Sequence, residues 1–128
     1  MRKKEGQSSI EFIIIFGAAL SFFVVFFGII QSNIEKNNLQ KENTLLQNVA
    51  LNIKDEINLA SASSDGYFRE FKIPDNILGK DYEVTINNNY VYASTNKGGF
   101  SYKVLEAEGQ IKKGSNNITK QNGKVYLN

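Results

Sequence analysis

The sequence predicts an α+β protein: one long N-terminal helix, membrane-spanning in its first half and amphipathic in its second, packed against a C-terminal antiparallel β-sheet head. Three observations carry this. Residues 12–30 contain no charged side chain. Residues 31–60 contain neither Gly nor Pro and repeat apolar residues at helical spacing. Beyond residue 61 the chain turns to alternating aromatic and β-branched residues broken by Asn and Gly turns.

The apolar segment comes first. Its about 19 residues make a helix of roughly 28 Å, close to the hydrocarbon thickness of a bilayer. It is rich in Ile, Phe and Val, with Gly17, Ala18, Ala19 and Gly28 as its small residues. Arg2, Lys3 and Lys4 precede it, so the positive-inside rule places the N-terminus in the cytoplasm and residues after 30 outside. A secretory signal has a shorter apolar core followed by a small-residue cleavage site, which Ile29-Ile30-Gln31-Ser32 does not provide.

The second half of the helix follows. Leu39, Leu46, Ala50, Ile53, Ile57 and Ala60 recur at helical spacing, and Leu45 and Val49 widen the stripe. Lys36, Lys41, Glu42, Asn48, Lys54 and Asp55 are read on the opposite, polar face. The stripe is expected to pack on the head. Residues 31–38 are polar and weakly patterned, which suits a segment that can fray. Continuous from residue 7 to 60, such a helix measures roughly 80 Å.

Ser61 to Gly66 form a loop that ends the helix. A first strand over 67–73 stops at Pro74. Tyr82, Val84 and Ile86 alternate with Glu83 and Thr85, Asn87-Asn88-Asn89 turns, and 90–94 returns. Lys97-Gly98-Gly99 turns into the alternation of Phe100, Tyr102 and Val104, and a weaker strand covers 108–112. Asn122-Gly123 between 118–121 and 124–127 is a strong hairpin signal. The head is therefore read as an antiparallel meander of five to seven strands with one face on the helix.

Composition removes several chemistries. The chain has no Cys and no His, which excludes disulfides, thiolate and imidazole metal sites and His-activated nucleophiles. The net charge of +2 is too small to argue for nucleic acid. No phosphate loop, calcium loop or nucleophile elbow is present, so no enzyme, cofactor or metal is expected. Asp75 and Asp81 as a calcium pair are nonspecific, and Glu106 and Glu108 suit a solvated strand edge. Asn117-Ile118-Thr119 is an N-glycosylation sequon on the C-terminal hairpin. Tyr67, Tyr82, Tyr90, Tyr92, Tyr102 and Tyr126 could form an adhesive surface, but packing residues with a polar tip are the expected reading.

The flank of the apolar run carries the most specific signal: Gly6-Gln7-Ser8-Ser9-Ile10-Glu11. A lone carboxylate one residue before a long apolar segment costs several kcal/mol in a membrane unless paired. Here the chain resembles archaeal type IV pilins and related precursors, whose class III signal peptide is a basic leader, Gly, then Q-x-S-x-E and a hydrophobic run. Gln7, Ser9 and Glu11 match that spacing, with Gly6 before the cut. Ile15 stands where the family favours Leu, and Glu5 where a basic residue is usual.

The resemblance implies that a prepilin peptidase cleaves between Gly6 and Gln7 and that the apolar segment stays with the mature chain. The domains are then leader 1–6, filament-core helix 7–30, amphipathic helix 31–60 and head 61–128. Cleavage removes three basic residues and one acid, leaving a formally neutral chain. Glu11 is implied to pair with the new N-terminal ammonium. The implied function is a filament subunit assembled through residues 7–60 with identical or related subunits and the pilus assembly machinery, in surface attachment. It resides in the membrane before assembly and at the cell surface afterwards. The alternative is a single-pass membrane-anchored ligand-binding module, which has no need of the Gln7, Ser9, Glu11 spacing.

Overall fold

The computed structural model describes the backbone of residues 2–128 and side chains from residue 5 onward. Arg2, Lys3 and Lys4, the basic leader residues, have side chains outside this described set. Helix α1 runs Arg2–Ala62. Seven strands follow: β1 Phe68–Ile73, β2 Glu83–Asn87, β3 Tyr90–Thr95, β4 Gly98–Lys103, β5 Ala107–Gly109, β6 Gly114–Gln121 and β7 Lys124–Leu127. The chain divides into two units, Met1–Leu39 and Gln40–Asn128. The α+β class and the long helix packed on an antiparallel-rich head are as the sequence predicts.

In the second unit the helix supplies one wall of the core. Leu46, Val49, Ala50, Ile53, Ile57 and Ala60 are buried in one cluster with inward residues of the strands. Two residues of the expected stripe are not in it: Leu39 is 42% exposed and Leu45 40%. Conversely Glu42, read on the polar face, is buried at 3% exposure, and Glu56 at 7%. The buried face therefore runs 42, 46, 49/50, 53, 56/57, 60. The two carboxylates are tolerated because cations from the head reach them. Lys80 lies 3.5 Å from Glu42, and Arg69 lies 3.5 Å from Glu56.

The strands form two sheets rather than one meander. The three-stranded sheet β2-β3-β4 is the meander expected from 82–104. The four-stranded sheet has order β1-β6-β7-β5. Its β5 pairs parallel with β7, the exception to the antiparallel pattern. The weak strand read at 108–112 is only Ala107–Gly109. Gly109 explains the placement: its φ is +105°, and a Cβ there would collide with the Leu127 carbonyl, so only Gly lets β5 come this close. Two hairpins follow the sequence directly. Asn88 and Asn89 join β2 to β3 with φ of 50° and 62°, and Asn122-Gly123 joins β6 to β7 with φ of 52° and 76°. The β3–β4 turn falls one residue earlier than read, leaving Gly98 and Gly99 inside β4.

The helix C-terminus is closed by the head. Lys120 of β6 donates from Nζ to the carbonyls of Ser61 at 2.6 Å and Ser63 at 2.8 Å. This satisfies orphan carbonyls and places a cation at the negative end of the helix, whose own last turn has no basic residue. Asp65 accepts from the Gly123 N–H at 3.0 Å, tying the same corner to the β6–β7 turn.

Candidate functional site: the apolar helix and its boundary carboxylate

The first unit is a helix whose described side chains are all exposed. Across residues 12–30 the large apolar side chains range from 38% exposed at Ile30 to 71% at Phe22. Moving each Ile or Phe out of water is worth about 1.5–3 kcal/mol, so the segment as a whole favours lipid or other helices by roughly tens of kcal/mol. A continuous apolar surface of this kind marks an interaction site or a membrane segment. By length and composition α1 is able to cross a membrane.

Polar groups inside the segment are silenced locally. Ser21 donates its hydroxyl to the Gly17 carbonyl at 2.8 Å, and Ser9 to the Glu5 carbonyl at 3.1 Å. Ser21, the one hydroxyl within residues 12–30, is thus satisfied without a partner from outside the helix. Phe12 and Phe16 stack at 6.0 Å between centroids, and Phe22 and Phe26 at 6.3 Å, each one turn apart. Gly17 and Gly28 are not needed for packing within the chain, since a Cβ at either meets nothing within 4 Å.

Gly6, Gln7, Ser9 and Glu11 occupy consecutive turns of the same helix and are all exposed. Gln7 and Glu11, four residues apart, share a face, and Ser9 projects from the other side. Among the described residues Glu11 makes no ion pair. Gly6 also has open space around it, with nothing within 4 Å of a Cβ placed there. The fold therefore makes no demand for glycine at position 6.

The head residues singled out from sequence fall elsewhere. Asn117 is exposed but lies within β6, paired with Glu70 of β1, not at the tip of the hairpin. Its N–H donates to Asn128 Oδ1 at 3.1 Å, so the sequon backbone is held in the sheet. Asp81 accepts a hydrogen bond from Lys113 Nζ, which, with the Lys113 charge, holds its carboxyl below the usual range. Lys113 also lies 4.9 Å from the centroid of the Tyr82 ring. Tyr82 is buried and donates to the Pro74 carbonyl. Burial, then the Asp75 and Asp81 charges, pushes its phenol up to about 12. Asp81, Tyr82 and Lys113 thus clamp together the segments that lead into β2 and β6, and Asp75 adds only its charge. Among the described residues no group of three or more carboxylates converges as a metal site would. Glu106 and Glu108 are exposed, and Glu108 pairs with Lys124 at 3.5 Å.

Four of the tyrosines pack at least partly, but Tyr90 and Tyr92 do not; they are 40% and 42% exposed. The alternation of β3 carried that signal: Val91 and Ala93 point inward, so their neighbours point out. The apolar face of residues 46–60 is consumed inside the second unit, which leaves residues 7–39 as the segment free to associate. Searches for similar proteins find no family model, no curated protein and no solved structure that matches the chain.

Proposed function

We propose that the chain is a structural subunit of an archaeal type IV pilus-like surface filament, assembled through its N-terminal apolar helix and not acting as an enzyme. The observation that carries this reading is an apolar helix whose described side chains are all exposed, with a carboxylate at its polar boundary, Glu11, that has no ion-pair partner among the described residues. Lipid satisfies the apolar surface before assembly, and neighbouring helices satisfy it afterwards. Glu11 is the group that neither environment satisfies by itself. Its pairing with a newly cut N-terminal ammonium at Gln7 removes the cost of a lone buried charge. The pair also fixes the axial register of helices that an apolar stripe would otherwise let slide.

The reading entails insertion with the basic leader in the cytoplasm and the head outside. Cleavage by a prepilin peptidase between Gly6 and Gln7 and transfer into a filament at the cell surface follow. N-terminal peptide mass spectrometry of the protein taken from cells tests it directly: the chain is expected to begin at Gln7. A mature chain beginning at Met1 or beyond residue 30 refutes it. Gly6→Val is a clean block on processing, because the helix has room for the larger side chain. Glu11→Ala is expected to be cut normally but to yield few filaments by electron microscopy.

The second reading, a single-pass anchored ligand-binding module, draws on the outward tyrosines of the three-stranded sheet. It requires the whole N-terminal segment to persist and no polymer to form. The same mass measurement separates the two.

A further inference from the structure

We propose that the outward face of the three-stranded sheet is a glycan-binding site built on Tyr90 and Tyr92. The two rings stand side by side on β3, centroids 6.2 Å apart and tilted by 40°. Among the described residues neither phenolic hydroxyl has a hydrogen-bond partner. Their cross-strand neighbours are too short or too polar to cover the rings: Tyr92 lies between Thr85 and Ser101, and Tyr90 between Asn87 and Lys103. The outward positions of β2, β3 and β4 carry no other aromatic and no aliphatic side chain.

Beside the Tyr92 ring the surface falls into a hollow of about 180 Å³ lined by Ser94, Gly99 and Ser101. Gly99 makes that hollow. A Cβ there would sit 2.7 Å from Ser94 Cβ and 2.8 Å from the Ala93 carbonyl oxygen, so no larger residue fits without moving the strand. A second hollow of about 310 Å³ adjoins it through Ser94 and is lined by Asp81, Glu83, Thr95 and Asn96. Ser94 lines both hollows, and Tyr92, Ala93 and Phe100 complete the wall of the first.

This chemistry selects a sugar. A pyranose presents a C–H-rich face that packs on an uncovered aromatic ring and equatorial hydroxyls that reach sideways to polar groups. The tyrosines supply the rigid, amphipathic platform at small entropy cost. Ser94, Ser101, Thr95 and Asn96 supply donors and acceptors at its rim, directly or through water. The charges at the rim are mixed, with Asp81 paired to Lys113, Glu83 beside it and Lys103 next to Tyr90, which suits a neutral ligand. A protein interface also favours Tyr, but this face offers only two rings and no further apolar side chain around them to exclude water. The first hollow is about the size of one hexose ring. The site lies wholly within residues 81–103 and stands independently of the filament reading.

The test uses the full-length chain as monomer in phosphocholine micelles, titrated with cellohexaose, chitohexaose and mannohexaose by saturation-transfer NMR. At least one is expected to bind saturably. Tyr92→Ala and Tyr90→Ala are each expected to weaken that binding by about tenfold or more. Tyr92→Phe, which keeps the ring face, is expected to stay within about threefold. Both alanine variants alter outward side chains, and an unchanged melting temperature confirms the fold. Absence of saturable binding to all three sugars overturns the proposal, as does wild-type binding by either alanine variant. Loss of filaments in the double alanine variant, with no sugar bound by the wild type, likewise overturns it and assigns the face to a subunit contact.

Discussion

Replacing Glu56 by Leu is expected to stabilise the protein, although it removes an ion pair. Glu56 lies on the buried face of α1 with 7% exposure, and its Oε2 is buried with no hydrogen-bond partner. Its Oε1 meets Arg69 at 3.5 Å, but the arginine side chain is 52% exposed. At that separation the attraction is roughly 5 kcal/mol at an effective dielectric of about 20. Desolvating the carboxylate costs several kcal/mol and cancels most of it. The orphaned oxygen adds a penalty of about 1–3 kcal/mol. Leu has a similar volume and neither cost, and Arg69 turns into water when released. The expected gain is about 1–2 kcal/mol, with about 4–8 °C in Tm per kcal/mol for a domain of this size. Arg69→Ala should act with the opposite sign, stranding the buried carboxylate at a cost of about 3 kcal/mol. Thermal and urea unfolding of the full chain in micelles, followed by circular dichroism, measures both. A Glu56→Leu protein less stable than wild type, or an Arg69→Ala protein of unchanged stability, would refute the reasoning.

Four further outcomes follow from the head. Lys120→Met removes the cation and both hydrogen bonds that close the end of α1 and should cost about 1–3 kcal/mol in the same unfolding assay. Gly109→Ala should detach β5 from β7, seen as faster amide exchange at residues 107–109 and 125–127 with β1–β6 protection retained. Tyr82 has its phenol raised to about 12, so its contribution is fully present below the ordinary tyrosine range, near pH 10, and is lost as pH rises through about 12. Tyr82→Phe should abolish that alkaline loss. For Asp81 the sign is reversed: its carboxyl is lowered, so its contribution holds above the ordinary carboxylate range and fades as pH falls through the lowered value. Asp81→Asn should flatten that acid limb.

Much of this was legible because it is local. Periodicity found the buried stripe from Leu46 to Ala60, and the Asn-Asn and Asn-Gly turns located two of the three two-residue hairpins. Glu11 stands out as a lone carboxylate beside an apolar run, whereas Gly6, Gln7 and Ser9 are marked only by the resemblance to class III signal peptides. What escaped is non-local. Glu42 and Glu56 look like solvent-facing residues until Lys80 and Arg69 arrive from the head. Leu39 matches the stripe by period but precedes the part of the helix the strands cover. The weak strand read at 108–112 overlaps β5, but its true bounds and its parallel pairing with β7 have no local signal in three residues. Lys120 reads as one of many surface lysines, and only the fold carries it to the carbonyls of Ser61 and Ser63.

The strand order also sets a timetable. β1 leaves the helix early yet finds its partner in β6, with Phe68 opposite Thr119, and β5 waits for β7. The four-stranded sheet therefore cannot close until β7, Lys124–Leu127, has been synthesised. Until then the greasy side of residues 46–60 has nothing to lean on, and the growing chain is at its most vulnerable to aggregation and proteolysis. A nascent chain of this design therefore gains more from keeping that side covered until β7 emerges than from any further strengthening of its core.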